Sequence, residues 1–213
     1  MKKTSFIFFF LFICDLALFS QIDVNIDSLY QVFSSSSKYD LILRAKLFTM
    51  DSEWDTGFVI TTKLDTIKGQ IKLLGDGIHV KVRNNQLDKK YRADKYIRLQ
   101  YGYRIFISKT LENFPVNAEL LDSGKINFYS FETANTNYTQ AEIATRFYLE
   151  KDKIIYGPYH SDWKDFGSGF TLLSECIGDY KTLSNRVQNK EFKYSDLWII
   201  IKIYNYWYKK NFR

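Results

Sequence analysis

The sequence predicts a mainly β fold with C-terminal α-helix, an antiparallel β-sandwich or barrel-like sheet covered by two or three C-terminal helices. Three observations carry that prediction. Tyrosine (16) and phenylalanine (18) are abundant and proline (2) is scarce among 213 residues, a mix that suits a pleated, half-buried surface. Short runs of alternating apolar and polar residues, separated by turn residues, recur between residues 57 and 156, as expected of antiparallel strands. Beyond them the period changes, and residues 170–177 and 183–187 carry apolar side chains at helical spacing. A hydrophobic share of 46% and an aromatic share of 18% exclude a disordered chain. The length suits one domain, or one domain with a helical appendage, and can bury a sizeable core without staples.

Residues 1–20 read as a secretory signal peptide. Lys2 and Lys3 give a positive start, residues 6–13 are an apolar run, and Ala17-Leu18-Phe19-Ser20 leads into Gln21. The apolar part is too short for a membrane span, and Asp15 interrupts it. The expectation is an exported protein, periplasmic, associated with the cell envelope or secreted, with no transmembrane helix in the mature chain. Its formal charge of +6 suits anionic headgroups or acidic polysaccharide. The charges are interspersed, which more often means a solvated surface. Export argues against a nucleic-acid partner.

Residues 21–56 form an N-terminal extension. Leu29, Val32 and Phe33 have helical spacing, Asp27 is a candidate cap, and the serines from 34 to 37 break the pattern. Leu41, Leu43, Ala45 and Leu47 alternate as in a strand. The β domain spans 57–167. Residues 58–62 and 67–73 pair around Lys63-Leu64-Asp65, with Gly69 a candidate bulge. Ile78, Val80 and Val82 alternate with His79, Lys81 and Arg83, and Asn84-Asn85 turns the chain. Residues 96–101 and 103–107 flank Gly102, 116–121 and 126–131 flank Asp122-Ser123-Gly124, and 146–150 and 153–156 flank Lys151-Asp152. These make eight to ten strands. The segment 168–213 is helical, with Ser195 a candidate N-cap, Asp196 in the first turn, and Leu197, Ile200, Ile201, Tyr204 and Tyr208 on one stripe.

The motifs Gly57-Phe58-Val59-Ile60-Thr61-Thr62, Asp65-Thr66 and Ile67-Lys68-Gly69-Gln70-Ile71 form one hairpin pattern. Gly124-Lys125-Ile126-Asn127-Phe128-Tyr129, Cys176 and the pair Tyr204-Asn205 complete it. Over about residues 57–206 the chain thereby resembles a group of uncharacterised secreted and envelope proteins of the Bacteroidetes. It departs from them at Leu64, where glycine is usual, and at Ile177, where proline is usual. The resemblance implies secretion and a β-rich body with C-terminal helices. It implies no activity and no catalytic residue.

Few residues suggest chemistry. Asp55-Thr56-Gly57 and Asp122-Ser123-Gly124 match the tripeptide of aspartic proteases, whose two carboxylates share a proton. The copies lie close in sequence, lack the partner motifs, and read better as turns. His79 falls on the polar side of its strand. The segment from Tyr159 to Gly167 holds a base, acids, a hydroxyl and a tryptophan, and loops on rigid scaffolds often carry function. Tyr159, His160, Trp163 and Lys164 are therefore the candidate ligand-binding residues. Neighbouring Ser, His and Asp cannot form a triad. Two histidines and one mature cysteine, Cys176, supply too few ligands for zinc. Cys176 reads as a buried thiol or an intermolecular link. No catalytic residue, metal or cofactor is predicted. The C-terminal Tyr206, Trp207, Tyr208, Lys209, Lys210 and Arg213 suit either rings packed on the sheet or peripheral membrane contact. The expected role is a non-enzymatic binding or structural module with an envelope protein or glycan as partner. Two alternatives stand beside it: a carbohydrate or polyanion binder using the 159–166 loop, and a hydrolase using Asp122 or His160.

Overall fold

The alternating runs of the middle of the chain become strands joined by tight turns. The computed structural model describes residues 23–37, 52–85, 87–135, 142–160 and 169–212. Ten strands form one antiparallel sheet: β1 (Asp55–Thr61), β2 (Thr66–Leu73), β3 (His79–Asn84), β4 (Leu87–Arg92), β5 (Tyr96–Tyr101), β6 (Arg104–Leu111), β7 (Phe114–Asp122), β8 (Ile126–Asn135), β9 (Glu142–Lys151) and β10 (Ile154–His160). Their order is β10-β9-β8-β7-β6-β5-β1-β2-β3-β4. Glu112 and Asn113 between β6 and β7, and Asp152 and Lys153 between β9 and β10, all have positive φ, the backbone that matches strand twist in two-residue hairpins.

The sheet is open rather than sandwiched or closed, since β4 and β10 remain opposite edges. A 3-10 turn at Ala93–Lys95 returns the chain from β4 to β1, where Tyr96 pairs with Thr61. The β2–β3 end folds inward, so that Asn117 N–H donates to the Gly77 carbonyl at 3.0 Å and Ala93 N–H to that of Ile78 at 2.9 Å. The sheet is thus barrel-like in curvature without closing.

Curvature creates a first core from Val59, Ile71, Val80, Val82, Tyr96, Leu99 and Phe106. A second core lies under four helices: α1 (Ile26–Ser37), α2 (Gly169–Cys176), α3 (Lys181–Gln188) and α4 (Leu197–Phe212). There Ile126, Phe128 and Leu149 of the sheet meet Leu173, Ile177, Leu183, Ile200, Ile203 and Trp207. Trp207 is fully buried and stacks on Tyr180, ring centroids 4.4 Å apart. The cores are separated by buried polar groups. Arg104 donates to Glu119 through Nε at 2.9 Å and Nη2 at 2.6 Å, and the Tyr96 hydroxyl bonds to Asn117. On the opposite face Leu111, Val116, Ala118, Tyr129 and Tyr148 form a third cluster.

Several local expectations change. Asn25, not Asp27, caps α1, its Oδ1 accepting the Ser28 N–H at 2.9 Å. The helix continues through its serines, where Ser34 and Ser35 hydroxyls bond to carbonyls three residues back. Asp196, not Ser195, accepts the Lys193 N–H ahead of α4, at 2.8 Å. The apolar stripe of α4 is wider than expected, because Trp198, Ile199, Ile203 and Trp207 are buried too. The expected strand at 41–47 and the leader lie outside the described residues. No described helix is long and apolar enough to cross a membrane.

Candidate functional site

Strand β7 shifts register between Leu120 and Asp122 as it ends, and β8 begins at Ile126. The turn between them rests on α4 through one side chain. Asn205 Oδ1 accepts the Ile126 N–H at 2.9 Å, and Nδ2 donates to the Ile126 carbonyl at 2.9 Å and to Asp122 Oδ2 at 3.5 Å. An amide that both accepts and donates imitates a neighbouring strand's peptide group. Gly124 permits the approach, since a Cβ there would lie 2.5 Å from Asn205 Cγ.

Above this contact lies a groove of about 290 Å³, at the small end of ligand sites. The turn contributes residues 122–125, α1 contributes Phe33, and α4 contributes Lys202, Asn205, Tyr206, Tyr208 and Lys209. Burial pushes the Asp122 carboxyl above its ordinary value, against the opposing pull of the Ser123 N–H, the Asn205 amide and the Lys202 charge. The Lys202 ammonium sits 4.3 Å from the Trp198 ring centroid and 5.8 Å from that of Phe33. Lys125 bonds to Asp152, which holds its ammonium up, and lies 5.2 Å from the Tyr208 ring. Lys210 stands 5.6 Å from the ring of Tyr206. The groove thus joins ammonium donors, one carboxyl acceptor and flat rings. Its lining holds neither histidine nor cysteine.

Of the residues expected to bind ligand, Tyr159 and His160 are described, and both belong to β10 rather than to the groove. Tyr159 belongs to β10, not to a loop, and it is fully buried in the helical core. Burial pushes its phenol up, and its hydroxyl has no hydrogen-bond partner among the described residues. The apolar body of the ring outweighs its polar tip at that position, so Tyr159 is a core residue and not a ligand contact. His160 ends β10 opposite Arg146. Trp163 and Lys164 lie outside the described residues.

The other singled-out residues have structural places. Asp122 and Asp55 are separated by β5 and β6, about 14 Å at the usual strand spacing, so they share no proton. His79 Nδ1 lies 2.6 Å from Asp76, whose carboxylate also accepts the Ile78 and His79 N–H groups. Cys176 is a free buried thiol, pushed up to about 12 by burial. Its carbonyl accepts Lys151 Nζ at 2.8 Å. Trp207 of the C-terminal aromatic run is core, while Tyr206 is 38% exposed. Among the described residues, no three or more His, Cys, Asp or Glu side chains are grouped to hold a metal.

The sequence marked the groove in pieces, through Asp122-Ser123-Gly124, the motifs carrying Gly124-Lys125 and Tyr204-Asn205, and the C-terminal Tyr206, Tyr208 and Lys209, which the fold brings together. Compared with known proteins, the chain matches no family model, no curated protein and no solved structure.

Proposed function

We propose that the protein is an exported, non-enzymatic binding module of the cell envelope whose groove takes a small acidic saccharide. The observation that carries the reading is the grouping of Lys125, Lys202 and Lys209 with Asp122 and the rings of Tyr206, Tyr208 and Phe33 around about 290 Å³. Ammonium groups pair with a sugar carboxylate, the Asp122 carboxyl meets hydroxyls, and the rings lie against apolar sugar faces. Partly desolvated ammonium–carboxylate bonds are stronger than those between neutral groups. The export half of the reading rests on Lys2, Lys3 and the apolar run of residues 6–13.

Thermal unfolding against uronic acids and their neutral counterparts tests the groove. A saccharide at a hundredfold excess over its Kd adds about 2.7 kcal/mol, or roughly 5–11 °C for a chain of this size. The shift is expected only with the acidic sugars and is lost in Lys202→Gln. An equal shift with neutral sugars, or none with any acidic sugar, overturns the reading. Fractionation with N-terminal sequencing tests export, and an intact leader on cytoplasmic protein defeats it.

A further inference from the structure

Charge is distributed unevenly along this chain. Residues 63–95 hold nine Lys and Arg against four Asp and Glu, a net +5 within a total of +6. Lys68, Lys72, Lys81, Arg83 and Lys90 of that segment fall on one face of the sheet, with Asp88 among them. Alternation turns Ile71, Leu73, Val80 and Val82 into the first core, which leaves Lys72, Lys81 and Lys90 on the outer face of β2, β3 and β4. The register sets them directly opposite one another, Lys72 against Lys81 and Lys81 against Lys90. Neighbouring strands lie about 4.8 Å apart, and like charges set opposite each other destabilise a sheet.

Other residues extend the array. Lys68 lies opposite Phe58 on the same face. Arg83 is paired with Asp88 at 2.6 Å and covers the Trp54 ring at 4.1 Å. Lysines on an edge strand guard against edge-to-edge pairing. That explains Lys90 on β4, but not Lys72 and Lys81, which lie on interior strands.

We infer that the outer face of β2–β4 docks on an anionic phospholipid bilayer. Charge complementarity and shape select this occupant. The cations spread across three strands and along two of them, so they present a broad patch rather than a single row to a surface of headgroups. A linear polyanion needs a track, and on this face the basic rows run in two directions. Trp54 at the border is the residue type that favours the interface between headgroup and acyl chain. The inference is independent of the groove on α4.

Vesicle co-sedimentation of the whole chain tests it, with phosphatidylglycerol–phosphatidylcholine vesicles set against pure phosphatidylcholine. Each lysine near such a surface contributes about fivefold to partitioning. The triple variant Lys72→Gln, Lys81→Gln, Lys90→Gln is therefore expected to bind anionic vesicles about 100-fold more weakly. The control triple Lys153→Gln, Lys181→Gln, Lys190→Gln removes equal charge from exposed positions elsewhere and is expected to lose less than about threefold, because surface potential decays within a Debye length. The ladder variant unfolds cooperatively like the parent, and it keeps any saccharide-induced shift at the groove. Equal partitioning to neutral vesicles, equal loss in the control triple, or undiminished binding by the ladder variant overturns the inference. So does capture of this face by soluble dextran sulfate while anionic vesicles fail to bind.

Discussion

Replacing Asn205 probes the junction between the sheet and the last helix. Asn205→Ala removes two bonds of 2.9 Å to the backbone of Ile126, a residue with no exposed surface. A buried N–H or carbonyl left without a partner costs about 1–3 kcal/mol. Partial access of water to the turn lowers the expected total to about 2–4 kcal/mol, roughly 4–16 °C in Tm for a chain of this size. Asn205→Asp sharpens the test. It keeps the acceptor for the Ile126 N–H, loses the donor, and sets a carboxylate beside Asp122, whose Oδ2 lies 3.5 Å from the present amide nitrogen. Two close carboxylates force one pKa up. A carboxyl raised in the fold contributes stability below its unfolded pKa and loses it as pH rises through the folded value. The Asn205→Asp deficit must therefore grow with pH, whereas that of Asn205→Ala stays nearly level. Urea denaturation followed by tryptophan fluorescence from about pH 4 to pH 8 reads both, the span running upward from the ordinary carboxyl value. An Asn205→Ala cost below about 1 kcal/mol, the net value of a single ordinary hydrogen bond, refutes the reasoning. So does an Asn205→Asp deficit that ignores pH.

Two further substitutions test the buried groups. Glu119→Leu strands the Arg104 guanidinium without its carboxylate, and both side chains are 5% exposed. It should cost about 3–5 kcal/mol, while Arg104→Met with Glu119→Leu returns to within about 1 kcal/mol of the parent. Chemical denaturation of both singles and the double gives the coupling, and additive losses contradict the pairing. Asp122→Asn removes a carboxyl that burial holds above its ordinary value. The ionised form is the penalised one, so the variant should be at least as stable at neutral pH, with the difference vanishing below about pH 4, the unfolded carboxyl value. Melting curves at both pH values decide it, and a neutral-pH loss above about 1 kcal/mol shows a net favourable partner for Asp122 instead.

Much of the sheet was legible because its strands have one wet and one dry face. Val80 and Val82 announce β3, and Lys151-Asp152 announces the last hairpin. Strand β4 was hidden, since Asp88, Lys89 and Lys90 interrupt any alternation, and charge is what an edge strand carries. Openness was hidden too. Alternation says which residues face inward, but the neighbours of β1 depend on the return through Ala93–Lys95. At the turn, Asp122-Ser123-Gly124 was correctly a turn, and what it touches could not be read. The groove draws on residues 33, 122–125 and 202–209, brought together only by the docking of α1 and α4. Tyr159 misled because its sequence neighbours are polar, whereas its strand sends it inward.

The first helix of the described chain is tied to its last third. The Tyr180 hydroxyl bonds to Asp23 at 3.1 Å, and Arg186 bonds to Asp27 at 2.8 Å, contacts that span 157 and 159 positions. Closing so long a loop costs entropy before any contact repays it. The curled sheet around Val59 and Leu99 draws on neighbours near in sequence. Segment α1 has nowhere to settle until residues 180–207 have arrived. Under the export proposed above, a chain threading a membrane amino end first would gain by this order. Helix α1 would then stay unanchored until residues 180–207 emerge, and the helical layer would fix the two segments together.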